Sequence, residues 1–281
     1  MTVNNPGVEE TLSILNNELQ RKSPKTRMYY RSIAKRFLEE SGDYSRVGML
    51  KWINSYGCDN SIRTVYWILL RLCKAVGKPF PLDTDILPPP VDEDEIHTPI
   101  MSTGDINKLI TYWKDYAGEY TTALIFLSTI YGFRSIEMTT LDVDVEKDSV
   151  TVNVAKRHRA VVRTHLIPPN MEVYLAGYEK SSEQTVRSAF AHACRKAGIK
   201  REKGKNWHSI RRAVDTACLN NGIPELLIKR FMRWAKNRSD MTIVYWHLDF
   251  TEANKVMFGM IPLPDIDPPK FIKHPYLKYW E

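Results

Sequence analysis

Cysteine is scarce in this sequence and follows no pattern. Only Cys58, Cys73, Cys194 and Cys218 occur among 281 residues, and no two of them form a Cys-x-x-Cys pair. That excludes a zinc ribbon and argues against a disulfide scaffold, leaving buried thiols in a reducing cytoplasm as the expectation. No apolar run approaches the roughly 18 residues needed to span a bilayer. The stretch from Met1 to Gly7 lacks the basic segment and apolar core of a secretory signal. Repeats, low-complexity tracts and a phosphate-cradling P-loop are absent too. What is present is ordinary globular composition, 43% hydrophobic and 26% charged, which excludes a disordered chain.

The charge is modest in sum and uneven in place. Forty Lys+Arg face 33 Asp+Glu, a formal excess of +7. Residues 1–82 carry +6, residues 83–97 carry −6, and the remainder carries +7. Two basic blocks therefore flank an acidic seam. Pro88, Pro89 and Pro90 stand in that seam and favour an extended spacer. Asp92–Glu95 reads as a solvated linker run in preference to a metal site. The expected organisation is a helical domain over 1–82, a linker over 83–97, a second domain over 98–261 and a tail over 262–281. The tail has five prolines and four aromatics, so it makes no long helix and either folds back on its own domain or docks on a neighbouring protomer.

Ser23-Pro24 is an N-cap followed by proline at the first helical position. Tyr30, Ile33 and Phe37 then recur at helical spacing, and residues 21–36 hold seven basic residues and no acid. A second helix is predicted from about Ser61, with Val65, Leu69 and Cys73 on one face and Arg63, Arg71 and Lys74 off it. Such a bundle either solvates its lysines or lays a basic face on phosphates. In the second domain, Ser102 caps a helix, and an apolar helix over Thr121–Tyr131 is stopped by Gly132. Alternation in Ser149–Ala155 and again in Ala160–Ile167 predicts an antiparallel hairpin. From Ser181 the helical pattern returns. The fold class expected is mainly α with a small antiparallel β-sheet.

Four clusters carry chemistry. Arg134 follows the glycine break with Glu137 three residues on; it is either a surface ion pair or a phosphate clamp whose fork the carboxylate fixes. Lys156 sits in the hairpin turn beside Arg157 and Arg159, where an ammonium is either solvated or delivered into a groove. His208 and Arg211 share a face at a helix start, a place suited to a phosphate oxygen or to solvent. The fourth runs from Arg233-Trp234 to Tyr245-Trp-His247. A phenol with a pKa near 10 needs cations to become a useful nucleophile.

Taken together, these boxes resemble the tyrosine recombinase (phage integrase) family, in its Xer-like or viral-integrase form. Tyr-Gly-Phe-Arg134-Ser-Ile-Glu137, Val-Asn-Val-Ala-Lys156, His208-Ser-Ile-Arg211 and Ile-Val-Tyr245-Trp-His247 follow one another in the family's order over nearly the whole chain. Trp234 stands where a histidine is common, with a gap to Tyr245 about two residues longer than usual, and Arg211-Arg212 replaces the more usual Arg-His. The resemblance implies an N-terminal helical core-binding bundle and a C-terminal catalytic domain. It implies Arg134, Lys156, His208, Arg211, Trp234 and the nucleophile Tyr245 as catalytic residues. It implies DNA strand transfer through a 3′-phosphotyrosyl link, with no metal, ATP or other cofactor. The partners implied are double-stranded DNA with an inverted-repeat or attachment-type site and further copies of the chain, a tetramer in synapsis; the place is the cytoplasm of a prokaryotic or virus-infected cell. DNA contacts are expected from Lys22, Lys25, Arg27, Arg31 and Arg63 in the bundle, and from Lys203 and Lys205 before the histidine box. Three other readings stay open: a type IB topoisomerase, a non-catalytic DNA-binding protein, and a metal-dependent nuclease using Asp142, Asp144 and Glu146 on one strand face.

Overall fold

The computed structural model describes residues 7–88, 99–155, 161–200, 202–234, 248–264 and 266–281. They form two compact units, within Met1–Ile96 and His97–Glu281. The first unit holds helices α1 (Val8–Glu18), α2 (Pro24–Glu40), α3 (Arg46–Asn54) and α4 (Asp59–Ala75). Ser23 Oγ accepts the Thr26 N–H at 3.2 Å with Pro24 at the first helical position, as the sequence predicts. Ser45 caps α3 in the same way through the Gly48 N–H. Helix α4 begins two residues earlier than expected, at Asp59, whose carboxylate suits the first turn. Leu12, Leu15, Phe37, Met49, Leu69 and Leu72 are buried between the helices. Phe37 meets Tyr44 and Trp52 edge-on at 5.4 and 5.2 Å.

The basic stretch along α2 is less bare than its sequence. Arg31 donates to Glu9 of α1 at 2.7 Å, and Lys35 and Arg36 pair with Glu39 and Glu40 one turn on. Arg63 on α4 donates to the carbonyl of Pro88. Lys22 and Lys25 are exposed and Arg27 is half-buried.

The second unit is built around α6 (Tyr120–Tyr131), apolar on every side and buried from Thr122 to its end. It packs against α5 (Thr103–Trp113), α7 (Glu183–Lys196) and α8 (Trp207–Asn220). Helices α9 (Glu225–Phe231) and α10 (Phe250–Met257) complete the layer, and the short α11 (Leu277–Trp280) ends the chain. Ser102 caps α5 as expected, accepting the Asp105 N–H at 3.0 Å. The sheet has three strands where the alternation predicts two: β1 (Asp142–Asp144), β2 (Ser149–Asn153) and β3 (Val162–Leu166), antiparallel in that order. Val143 pairs with Val150, and Val150 with His165. Strand β1 covers part of the Asp142–Glu146 alternation and adds a third strand to the predicted hairpin.

Segment 262–281 lies against its own unit. Leu263, Ile272, Tyr276, Leu277 and Trp280 are buried in the core there. The Trp280 indole N–H donates to Thr129 Oγ1 at 3.1 Å, and its ring meets Phe126 edge-on at 5.1 Å. The Tyr174 hydroxyl donates to Trp280 O at 2.8 Å, and the His274 N–H to Met257 O at 2.8 Å. Among the described residues no helix is long and apolar enough to cross a membrane.

The tail is therefore part of the core, and truncating its largest anchor should act as a core deletion. Trp280→Ala is expected to cost about 3–5 kcal/mol of unfolding free energy in a urea titration. A loss under about 1 kcal/mol, the size of a surface change, would show that the tail does not dock there.

Candidate active site

Three helix ends converge where α6 stops. Gly132 closes α6 in the left-handed region, φ 57°, and its N–H still reaches Ser128 O. The left-handed backbone favours glycine here, and a Cβ would also lie 2.6 Å from Met232 Cε, so the end of that methionine would have to move. The chain then turns through Phe133 to Arg134 and into a single helical turn over Glu137–Thr139. Helix α8 starts at an Asn206/Ser209 capping box, which sets His208 in its first turn and Arg211 one turn later. The His208 N–H donates to Asn206 Oδ1 at 2.7 Å, while its side chain is exposed.

Arg211 is buried. One guanidinium nitrogen donates to Gly132 O at the end of α6, the other to Met232 O at the end of α9 at 2.8 Å. Helix C-terminal carbonyls carry partial negative charge and suit a cation. Burial, with the nearby Arg233 and Arg134, still pulls the Arg211 pKa down to about 9, against the pull of Glu137 and Asp215. Arg134 is half-buried and donates to Glu137 twice, from its backbone N–H at 2.9 Å and from Nη1 at 2.8 Å.

Glu137 is fully buried. Its Oε1 also accepts the Ala155 N–H at 3.2 Å, so it ties down the strand end just before Lys156. Burial alone would raise its pKa; Arg233, the Arg134 N–H and the guanidinium groups of Arg134 and Arg211 together hold it below the usual carboxylate range.

Arg134, His208, Arg211 and Trp234 all line one pocket of about 370 Å³, with Arg212 and Asp215 completing its wall. Four of the six expected catalytic residues thus meet on one cavity. The other two, Lys156 and Tyr245, lie outside the described residues, as do Arg157, Arg159, His247 and Asp92–Glu95. A second cavity of about 910 Å³ shares His208 with the first and has Phe190, Trp207, Arg195, Lys200 and Lys205 in its wall. Lys205 is mostly buried there and is held by Glu202 at 2.8 Å and Asp105 at 3.5 Å; Lys203 is exposed.

Two residues of this centre have a place that the sequence does not assign them. Arg233 has a fully buried side chain; its Nη1 donates to Tyr131 O at 3.1 Å and to His165 Nε2 at 2.6 Å, and its Nη2 faces Glu137 at 3.4 Å. His165 on β3 points inward, and its Nδ1–H donates to Asn254 Oδ1 at 2.8 Å. Because Nε2 accepts from a guanidinium, the ring is neutral. Burial and then Arg233 push its pKa well below the ordinary range, against the Asn254 bond. Strand alternation places His165 on the inward face; nothing in the sequence marks Arg233 as buried. The third strand alters the nuclease reading: Asp144 is drawn to Lys147 at 2.6 Å and Asp142 to Lys180 at 3.7 Å. Among the described residues no three metal-ligating side chains converge.

The centre therefore gathers the guanidinium groups of Arg134, Arg211 and Arg233 around one fully buried carboxylate, a local excess of positive charge facing a small polar pocket. Such a pocket favours an anion with several acceptor oxygens.

No family model matches the chain, and no curated protein is similar to it in sequence. Solved structures are similar in fold. A lambda integrase tetramer bound to a Holliday junction superposes with a TM-score of 0.60 at 13% identity, over 86% of this chain and 78% of that one. Lambda integrase bound to DNA gives 0.58 at 15% identity over 84% and 93%. The Tn1549 transposon integrase in complex with transposon right end DNA gives 0.52 at 15% over 88% and 98%. The chain thus has the mainly α fold of the tyrosine recombinases and integrases.

Two outcomes are expected from this geometry. His165 has a folded-state pKa far below its unfolded value of about 6.5, and burial takes His274 down to about 3. Below pH 6.5 the unfolded chain binds protons that the folded chain refuses, so stability present above that pH falls as pH drops. The slope is roughly 1.4 kcal/mol per pH unit for each histidine. Urea midpoints from pH 7 to 5 should show it, and His274→Asn should shed about one proton's share; an unchanged slope in that variant would contradict the assignment. Gly132→Ala should lose about 1–2 kcal/mol through its left-handed backbone, read from the same titrations at pH 7.

Proposed function

We propose that the protein is a tyrosine-type site-specific DNA recombinase that cuts and rejoins strands through a phosphotyrosyl link. The observation that carries this reading is the convergence of Arg134, His208, Arg211 and Trp234 on one pocket with surplus positive charge, in a fold similar to that of integrases solved on DNA. The order of the boxes adds Lys156 and Tyr245.

In this mechanism the Tyr245 oxygen attacks the scissile phosphorus and loses its proton as the bond forms. Arg134 and Arg211 bind the non-bridging oxygens, whose charge grows in the transition state; each preorganised donor contributes roughly 3–4 kcal/mol. Arg211 suits this role because its two carbonyl partners fix the plane of its fork. His208, exposed on the pocket wall, assists proton transfer near the phosphate, and Trp234 offers an indole N–H. Lys156 protonates the departing 5′-oxygen. The phosphotyrosyl bond keeps the energy of the phosphodiester, so the free 5′-hydroxyl of another strand reverses the step without ATP.

The substrate is duplex DNA carrying an attachment-type or inverted-repeat site, and synapsis uses several copies of the chain. Lys22, Lys25, Arg27 and Lys203 are proposed to contact the DNA backbone. Arg31, Arg63 and Lys205 would have to exchange their present partners, Glu9, the Pro88 carbonyl and Glu202 with Asp105, for phosphates. With surface ion pairs contributing little in water, that exchange is inexpensive for Arg31.

A suicide duplex that traps the covalent step tests the reading. Wild-type protein should give an SDS-resistant adduct in EDTA, mapped to Tyr245. Tyr245→Phe should bind the same duplex and give none. An adduct that survives in Tyr245→Phe, or one that needs a divalent metal, would sink the proposal. Relaxation of supercoiled DNA without a specific site would favour topoisomerase activity instead.

A further inference from the structure

Helix α9 ends in a Schellman turn. The Arg233 N–H donates to Arg230 O at 3.0 Å and the Trp234 N–H to Lys229 O at 2.9 Å. The turning residue in that motif is left-handed and usually glycine; here Arg233 takes it, with φ 61°. A left-handed backbone is unfavourable for any residue with a Cβ. A non-glycine residue at such a stop, with its side chain wholly inside the protein, points to a task for that side chain.

Its surroundings say which task. Arg233 does not line the pocket wall, so it is not placed to touch a substrate phosphate. It lies behind the wall, over the Phe133 ring at 4.2 Å, between Glu137 and neutral His165. Glu137 in turn holds both the Arg134 fork and the Ala155 N–H.

We propose that Arg233 is a positioning residue of the pocket: its guanidinium holds the Glu137 carboxylate, and through it the Arg134 side chain and the strand end that leads to Lys156. The reaction it serves is the one proposed above, on which that part of the inference rests. Among the described residues the charged groups facing Glu137 are Arg134, Arg211 and Arg233, with His165 on the far side of Arg233 and Asp215 beside Arg211. The Arg233 guanidinium, with the Arg134 N–H and the guanidinium groups of Arg134 and Arg211, offsets the burial of Glu137. Without it the carboxyl takes up a proton at higher pH, and a protonated Glu137 no longer draws in Arg134.

Arg233→Gly removes the side chain and suits the left-handed backbone, and Arg233→Lys keeps the charge without the fork. Two measurements are made on each full-length variant: the pH dependence of adduct formation on the suicide duplex, with duplex affinity measured alongside, and the carboxyl ¹³C titration of Glu137, assigned with Glu137→Gln. Arg233→Gly is expected to bind duplex within about threefold of wild type but to form adduct about tenfold more slowly on the acid limb, where its Glu137 is protonated and that of wild type is not. Its acid limb and the Glu137 titration should both move up by about one pH unit, and Arg233→Lys should recover part of both. The Arg233→Gly/Glu137→Gln pair should be no slower than the worse single variant.

Wild-type rate and an unmoved Glu137 titration in Arg233→Gly would overturn the proposal. So would a loss that is equal at every pH and additive with Glu137→Gln, the mark of a merely structural role. If Arg233→Gly fails to fold by circular dichroism, Arg233→Lys decides on the same two readings. If wild type forms no adduct at all, the recombinase reading falls; a Glu137 titration that still moves supports the positioning role, and one that does not overturns it.

Discussion

A carboxylate removed from water is tolerated only where cations and N–H donors replace its hydration. Glu137 has such a set: the Arg134 N–H and fork, the Ala155 N–H and the Arg233 guanidinium. Each of these comes from a different piece of chain, the turn after α6, the end of β2 and the stop of α9. One side chain thereby ties three segments that sequence keeps up to 96 positions apart. Removing it would leave buried guanidinium groups facing one another, so the carboxylate and the cations require each other.

The same centre is built from helix ends, which explains its chemistry. The final carbonyls of α6 and α9 have no partner within their own helices and accept from Arg211 instead. That arrangement satisfies orphan acceptors and aligns a guanidinium in one step. It leaves Arg211 with no acidic partner in direct contact among the hydrogen bonds described, and burial accordingly weakens its hold on its proton. An anion with several oxygens would relieve that strain, which is the physical content of reading the pocket as a phosphate site. The charge of the whole chain, +7, matters less than this local surplus.

The likeness to integrases concerns the fold, and at 13–15% identity it extends no further by itself. The proposed function rests beyond the fold on one pocket whose walls carry Arg134, His208, Arg211 and Trp234. The tail bears on this architecture from below. Trp280 and Tyr174 pack on Phe126 in the middle of α6, so the helix that presents Gly132 and Arg134 rests on the last residues of the chain.

Local chemistry determined much of this in advance. Ser23-Pro24 and Ser102 mark helix starts because their hydroxyls satisfy backbone N–H groups within three residues. Gly132 marks a stop because only glycine turns left without penalty. The spacing of Arg134 from Glu137, and of His208 from Arg211, places each pair on one turn. Information of that range is legible without a structure. The partner of strand β1 was not, because alternation over Asp142–Glu146 does not say which strand lies beside it, and the pairing of Arg31 with Glu9 was not, because the partner sits 22 residues away on another helix. Arg233 was hidden for the same reason: an arginine after a helix is ordinarily solvated, and only the packing of Phe133, Tyr131, His165 and Glu137 around it turns it inward. Burial is a property of the assembled fold, and so was the choice of which cations face a pocket and which stand behind it.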